Sequence, residues 1–253
     1  MQRLILALVV ALGSALSAGA LRAQVAPSAP PGQPASAFPK PDRPVAEIIS
    51  PRWADDAERD RADEVGQVVR ALNIRPGETV ADIGAGSGYY TLRLSPMLEP
   101  GGRVLAQDVT PSYLATLRDR VKAAGLANVE VIRGEPHDPR LPARSVDAAI
   151  LIHMYHEITQ PFGLMYNLAG AMKPGGRVGI VDLDDVPSRH GTPPALLRCE
   201  LAAVGYRETG FVALSGGVGY LAIFAPPAPD ALPRPETITP CRDEVTRKRP
   251  ARR

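Results

Sequence analysis

Three glycines at alternating positions follow a short apolar run in the first half of the chain. The run spans residues 79–83, and Gly84, Gly86 and Gly88 come directly after it. Residues 90–94 then have the pattern of a first helical turn. A buried strand, a glycine turn and a helix together let the backbone approach a nucleotide-like ligand closely. This stretch therefore predicts an α/β domain with a ligand site at the turn.

Strand and helix patterns alternate around this turn. Further strands are predicted at residues 103–106, 129–133, 148–152 and 177–181, and a terminal hairpin at 211–214 and 220–224. Helices are predicted at residues 54–72, 111–124, 161–172 and 194–204. Helices between successive strands imply right-handed crossovers and a parallel sheet, which the hairpin is expected to close.

The first 50 residues have the composition of an export signal and a linker. A basic start, Met1 to Arg3, precedes an apolar run at residues 4–16 and small residues up to Ala23. This three-part design predicts a signal peptide over residues 1–23, cleaved after Ala20 or Ala23, and a protein exported to the bacterial periplasm. The run is shorter than a stable membrane span of about 20 residues, so membrane contact is expected only through this signal, with an uncleaved anchor as the alternative. Proline-rich residues 24–50 are predicted to be a disordered leader.

Charge and cysteine content restrict the classes of partner. The net charge of the 253 residues is only +2, which gives no argument for a nucleic-acid partner. Residues 227–253 are rich in proline and basic side chains and are predicted to be a disordered tail. Cys199 and Cys241 share no metal-ligand spacing with histidines, so we expect two unrelated thiols and no metal site, although export would permit a disulfide. No obligate protein partner is inferred.

Acidic side chains accompany the glycine turn and the strands beside it. Asp82 lies on the first predicted strand and Asp108 ends the second. A dinucleotide-binding turn carries its third glycine where this chain has Tyr89, which disfavours a nicotinamide cofactor.

Together these motifs resemble class I S-adenosylmethionine-dependent methyltransferases. Residues 80–94 look like the family's first motif, and Asp108, the loop 135–142, residues 145–147 and residues 173–176 match later landmarks in the right order. The resemblance covers residues 51–226. It implies a three-layer Rossmann-like fold with a seven-stranded sheet, six strands parallel and the last antiparallel. It also implies S-adenosylmethionine as the cofactor.

The resemblance implies roles for individual positions. The turn residues Gly84, Ala85, Gly86 and Gly88 would pass close to the methionine and ribose portions of the cofactor. Asp82 would orient the turn and the ligand's ammonium group, and Asp108 would accept both ribose hydroxyls. For the adenine amino group, Glu135 and Asp138 are alternatives, with His137 behind them. Tyr90 either faces the cofactor or packs under its helix.

The segment after the fourth strand carries the candidates for the acceptor side. It reads His153-Met-Tyr-His-Glu157 and resembles segments of small-molecule members of the family. His153 is expected to line the cofactor pocket, partly through its backbone. Tyr155 and His156 are the candidates for contacting the acceptor or removing its proton, with a purely structural role as the alternative. No Asn-Pro-Pro-Tyr-type segment follows this strand, which counts against amino methylation of nucleic-acid bases.

Three functions remain open on the sequence alone. The first is methyl transfer from S-adenosylmethionine to an unidentified small-molecule acceptor by in-line displacement. The second is an exported protein that keeps the fold and binds the cofactor without turnover, because the cofactor is made in the cytosol. The third, disfavoured by Tyr89, is a nicotinamide-dependent oxidoreductase.

Overall fold

The structure is a computed structural model that describes residues 29–48 and 55–242. The predicted signal peptide and residues 243–253 lie outside the described residues. Within the described ranges, no helix combines the length and the apolar composition needed to cross a membrane.

One seven-stranded sheet forms the centre of the fold. Its strands are β1 Thr79–Ile83, β2 Arg103–Asp108, β3 Val129–Arg133, β4 Val146–Ile152, β5 Met172–Asp182, β6 Arg207–Ala213 and β7 Tyr220–Ala225. Their spatial order is β3-β2-β1-β4-β5-β7-β6. β7 runs antiparallel to its neighbours β5 and β6, whereas the pairs among β1 to β5 are all parallel. The predicted fold, six strands in one direction and the last reversed, is confirmed.

Helices cover both faces of this sheet. They are α1 Asp56–Arg61, α2 Glu64–Leu72, α3 Tyr89–Met97, α4 Pro111–Ala123, α5 Pro161–Ala171 and α6 Pro194–Ala203. Neighbouring β1 residues point to opposite faces, because side chains alternate along a strand. Val80 belongs to the core under α2, α3 and α4, and Ala81 to the core under α5 and α6. The three-layer architecture therefore follows from strands that are apolar on both sides.

The helix predicted over residues 54–72 is two helices. The side chain of Asp55 accepts hydrogen bonds from the N–H groups of Ala57 and Glu58 and begins α1. Asp63 has a left-handed backbone with φ of 50°, which separates α1 from α2. The break brings Arg59 on α1 back toward Glu64 on α2, a contact that one continuous helix would not make.

Residues 29–48, predicted to belong to a disordered leader, pack on the domain instead. Phe38 and Arg43 are buried. The N–H of Gly32 donates to Asp138, and the N–H of Ala46 donates to the carbonyl of His156. The proline-rich composition indicated an extended chain, and the segment forms several backbone hydrogen bonds with the domain.

The two cysteines form a disulfide, so the prediction of two unrelated thiols was wrong. Cys199 on α6 is bonded to Cys241 in the C-terminal segment. Residues 227–242, predicted to be disordered, return across the fold and bury Ile238 and Cys241. Asp42 and Arg242 form an isolated β-bridge, so the two terminal segments meet beside α6. The proline-rich sequence could not predict that this segment packs back on the domain, because the contacts that hold it there join residues far apart in the chain.

Candidate functional site

A cavity opens at the carboxyl ends of the central strands. Its volume is about 130 Å³, and it opens to solvent at its mouth. The strand order reverses between β1 and β4, and ligands of open α/β sheets bind at such a switch point. Gly84 and Gly86 after β1, Asp108 at the end of β2 and Met154 after β4 line it.

The carboxylate of Asp108 is fixed in place at this cavity. Its Oδ2 accepts a hydrogen bond from the N–H of Gly86 at 2.9 Å, and its Oδ1 accepts one from the N–H of Thr110 at 2.7 Å. The side chain is largely buried and keeps further lone pairs on both oxygens. Asp108 is thus an oriented pair of acceptors at the cavity wall, as suits a vicinal diol.

The glycines of the turn have different roles. Gly84 and Gly86 line the cavity with backbone φ angles of 68° and 56°, which side-chain-bearing residues rarely adopt. A Cβ at Gly88 would lie 2.4 Å from Leu117 on α4, so this glycine permits packing of the turn on that helix. Ala85 is held by a bond from its N–H to the carbonyl of Gln107. Gly88 and Ala85 do not line the cavity, in contrast to the prediction.

Asp82 lies beneath the turn and joins it to α3. It is 2% exposed, and the Thr91 hydroxyl donates to its Oδ2 at 2.6 Å. Burial raises the pKa of Asp82 to about 6 despite this hydrogen bond, and the negative charge of Asp108 adds to the rise. The side chain supports the turn and does not itself line the cavity.

The two adenine candidates separate in the structure. Glu135 lines the cavity and pairs with Arg140 at 2.5 Å, and this hydrogen bond lowers the pKa of Glu135. Asp138 is buried and faces away, accepting hydrogen bonds from the N–H groups of Gly32 and Arg140. Asp138 therefore anchors the N-terminal segment and does not line the cavity, whereas Glu135 lies at the cavity wall.

A buried ionic cluster beside the turn was not predicted from the sequence. Arg59 donates to both carboxylate oxygens of Glu64, at 2.7 and 3.1 Å, and the Tyr90 hydroxyl donates to Glu64 at 3.0 Å. His153 Nε2 lies 3.4 Å from the same carboxylate. Burial alone would raise the pKa of Glu64, but the contacts with His153 and Arg59 outweigh it and lower the pKa to about 2.

This cluster changes the interpretation of two predicted cofactor contacts. Tyr90 and His153 point into the cluster and do not line the cavity. Burial lowers the pKa of His153 and raises that of Tyr90 well above its usual range. The sequence spacing of Arg59 and Glu64 did not predict their contact, because the contact depends on the helix break at Asp63.

The segment after β4 presents a different residue to the cavity than predicted. Tyr155 is fully buried in the core, and burial raises its pKa far above the usual range, so its prediction as an acceptor contact is corrected. His156 is also fully buried, with Nδ1 3.0 Å from Asp182, and does not line the cavity. Glu157 lines the cavity in their place. The three residues form one 3₁₀ turn, whose geometry a sequence pattern does not specify.

Much of the rest of the cavity wall is apolar. Ile48, Met154, Ile158 and Leu164 contribute to its wall. Tyr113 on α4 also lines it, and burial raises the pKa of Tyr113, with the charges of Glu157 and Asp108 adding to the effect. These residues belong to no motif, and only Met154 and Ile158, in the segment after β4, lie where a strand end could have suggested them.

Comparison with known proteins supports the resemblance. Residues 80–176 match the family model described as a methyltransferase domain. Relatives include the ubiquinone/menaquinone biosynthesis C-methyltransferase UbiE of Ectopseudomonas mendocina, 27% identical over 126 residues, covering 49% of this chain and 48% of that one. Another is the protein-L-isoaspartate O-methyltransferase of Aeropyrum pernix, 33% identical over 168 residues, covering 62% and 58%. The chain thus spans about half the length of the curated relatives it matches.

A solved structure has the same fold. The S-adenosylmethionine-dependent methyltransferase from Aquifex aeolicus superposes with a TM-score of 0.58 at 24% identity, covering 67% of this chain and 96% of that one. At this identity the likeness establishes the fold. The family match and the fold together indicate S-adenosylmethionine as the cofactor.

Proposed function

We propose that this protein transfers a methyl group from S-adenosylmethionine to a small-molecule acceptor. The observation that carries the proposal is the fixed carboxylate of Asp108, which lies at the wall of the cavity beside Gly84 and Gly86. An oriented acceptor pair next to side-chain-free backbone suits a ribose diol in close contact with the chain. When bound, the cofactor supplies a methyl group activated by its positive sulfur.

The residues of the cavity divide into a cofactor end and an acceptor end. Asp108, the glycine turn and Glu135 would hold the cofactor, with Glu135 near its adenine. Ile158 and Leu164 contribute apolar surface that would face the acceptor, and Met154 lies beside Gly84 between the two ligands. The apolar wall excludes water and aligns the acceptor, which is most of what in-line displacement requires of a protein.

The acceptor is proposed to be a compact, largely apolar molecule with one polar group. Apolar surface dominates this end, and Tyr113 and Glu157 provide hydrogen-bonding groups on it. The wall carries few charges, which disfavours a nucleic acid or a highly charged acceptor. The names of the two relatives above refer to ubiquinone/menaquinone biosynthesis and to protein L-isoaspartate, so likeness to them does not choose the acceptor.

Calorimetry with S-adenosylhomocysteine tests the cofactor, and a mass-spectrometric screen of apolar acceptors with S-adenosylmethionine tests transfer. We expect saturable binding to one site and a product heavier by one methylene. Saturable binding with no product from any acceptor would favour a binding role without turnover. No binding at millimolar ligand would overturn the proposal, and a parallel titration with nicotinamide dinucleotides would identify the alternative.

We further propose that the protein works in an oxidising compartment after export, as the N-terminal sequence predicts. The Cys199–Cys241 disulfide supports this, because structural disulfides persist in the periplasm and are rare in the bacterial cytosol. Fractionation of cells carrying the full chain, with N-terminal sequencing and thiol labelling, tests it. A mature N-terminus following Ala20 or Ala23 and no reactive thiol are expected. A full-length, fully reduced protein recovered from the cytosol would contradict export.

A further inference from the structure

Two histidines and a glutamate converge behind the acceptor end of the cavity. One ligand-type atom from each of His156, Glu157 and His190 lies within 4.8 Å of the other two. His156 Nε2 is 3.7 Å from Glu157 Oε1, and the two imidazole rings meet edge to face with centroids 5.4 Å apart. The residues come from the turn after β4 and from the loop after β5, two neighbouring strands of the sheet.

His156 is oriented by a carboxylate on its other nitrogen. Its Nδ1 lies 3.0 and 3.1 Å from the two oxygens of Asp182, which is itself held by the Thr192 hydroxyl and the N–H of Leu183. A carboxylate on one ring nitrogen fixes the tautomer and directs the lone pair of the other outward. In His156 that other nitrogen, Nε2, points at Glu157.

Nε2 of His156 has no hydrogen-bond partner among residues 29–48 and 55–242. His156 Nε2 is completely buried, and Nδ1 of His190 is buried and likewise lacks one within these ranges. Buried polar atoms are nearly always hydrogen-bonded, so two such nitrogens on neighbouring histidines call for an explanation. His190 also adopts a left-handed backbone, with φ of 57°, which is uncommon for a residue other than glycine.

We propose that His156, Glu157 and His190 bind a divalent transition-metal ion, with Zn²⁺ as the ion that fits best. Two imidazole nitrogens and one carboxylate oxygen are the ligand set of many open zinc sites, and imidazole also suits iron and copper. Asp182 completes the carboxylate–histidine–metal arrangement typical of such sites. Three protein ligands leave a fourth position for water or a substrate atom.

The separation between His156 and Glu157 is close to the one that a bound ion needs, and the ligand atom of His190 lies within 4.8 Å of both. Ligand atoms about 2.0–2.2 Å from a tetrahedral ion lie about 3.3–3.6 Å from one another. The 3.7 Å between His156 and Glu157 therefore needs a shift of a few tenths of an ångström, and His190 lies on a surface turn that can supply the remainder. Glu157 also lines the cavity, so the ion would lie at the cavity wall. If the proposed methyl transfer holds, an acceptor oxygen on the open position would lose its proton more readily.

The test is a titration of the tag-free, metal-stripped full chain with Zn²⁺, measured against a chromophoric chelator, with Co²⁺ absorption as a report on the ligands. We expect one equivalent of ion bound by the wild type. His190→Ala should weaken binding by about tenfold or more, because it removes one of three ligands, and Glu157→Gln should weaken it as well.

The matched control is His137→Ala, which removes a partly buried histidine outside the group and should leave the affinity unchanged. Circular dichroism and urea unfolding show that each variant is folded. No stoichiometric binding by the wild type would overturn the proposal, as would equal affinity of the His190→Ala and His137→Ala variants. Because the measurement is metal binding and not turnover, its outcome is independent of the proposed methyl transfer.

Discussion

The N–H of Gly86 donates a hydrogen bond to Oδ2 of Asp108 over 2.9 Å, and this bond joins the turn after β1 to the end of β2. The glycine turn and the strand-end carboxylate, which are separate motifs in the sequence, are therefore one structural unit. The backbone N–H that would otherwise be left unpaired in a tight turn positions the carboxylate. The same carboxylate holds the turn open to the cavity.

Replacement of Asp108 by Asn should weaken binding of S-adenosylhomocysteine. The amide has one acceptor oxygen in place of two, so it cannot bond Gly86 and Thr110 and also receive both ribose hydroxyls. Loss of one or two such bonds costs about 1–3 kcal/mol, or roughly 5- to 150-fold in affinity. Calorimetry measures it, with Asp119→Asn on the exposed side of α4 as the control. Equal affinity in Asp108→Asn and wild type would remove Asp108 from the site.

Glu64 should contribute stability that disappears in acid. Its pKa in the folded protein is about 2, below the ordinary 4.5, so the unfolded chain binds more protons between these values. The contribution is fully present above pH 4.5 and is lost as the pH falls toward about 2. Glu64→Gln leaves Arg59 with a neutral partner and should lower the free energy of unfolding at pH 7 by about 2–4 kcal/mol. Urea unfolding across this pH range measures both effects, and a variant with unchanged stability would contradict the prediction.

Asp82 should act in the opposite direction. Its pKa in the folded protein is about 6, above the ordinary 3.8, so the folded protein binds the extra proton and stability falls as the pH rises from about 4 to about 6. Asp82→Asn can still accept a hydrogen bond from Thr91 and carries no charge. The variant should be more stable than wild type at pH 7, by up to about 3 kcal/mol, and should lack this pH dependence.

The same substitution should weaken cofactor binding if the charge of Asp82 serves the ligand. Thermal unfolding with and without S-adenosylhomocysteine separates the two effects. If Asp82→Asn is less stable than wild type at pH 7, the buried charge of Asp82 does not destabilise the folded protein, and the prediction is wrong. A variant that is more stable than wild type but binds S-adenosylhomocysteine more weakly is the result expected at a functional position.

The sequence predicted the sheet because its signals are local. The apolar run of β1 and the glycines after it determine a strand and a turn within a dozen residues, and Asp108 follows from the end of the next strand. Parallel pairing then brings the two strand ends to one edge without any further information. Gly84, Gly86 and Asp108, which follow from these two strand ends, line the cavity, and so does Glu135, whose position after β3 the family resemblance implied.

The directions of the side chains in the turn after β4 could not be predicted from such local signals. Tyr155, His156 and Glu157 are consecutive in a 3₁₀ turn, and a rotation of one residue decides which of them faces the cavity. That rotation depends on partners distant in the chain. Arg43 donates to the carbonyls of Tyr155 and His156 from a segment whose composition suggested disorder.

Arg43 provides the sharpest test of that segment. Its Nε donates to Oε1 of Glu200 at 2.9 Å, and both side chains are completely buried. Arg43→Met leaves the Glu200 carboxylate buried without its cation, which should lower the free energy of unfolding by about 3–5 kcal/mol. The double variant Arg43→Met, Glu200→Leu removes both charges and should recover much of this loss, because the uncompensated charge is the main cost.

An exposed ion pair of similar geometry is the matched control. Arg70 and Asp63 are also in contact, at 2.7 Å, but their side chains are 67% and 61% exposed. Arg70→Met should therefore change stability by less than about 1 kcal/mol, because water screens the pair. Urea unfolding of the four proteins under non-reducing conditions measures the series. If Arg43→Met unfolds like Arg70→Met, residues 29–48 do not contribute to the stability of the domain. If it is destabilised and the double variant recovers, the N-terminal segment is part of the folded unit and braces the turn that carries Glu157.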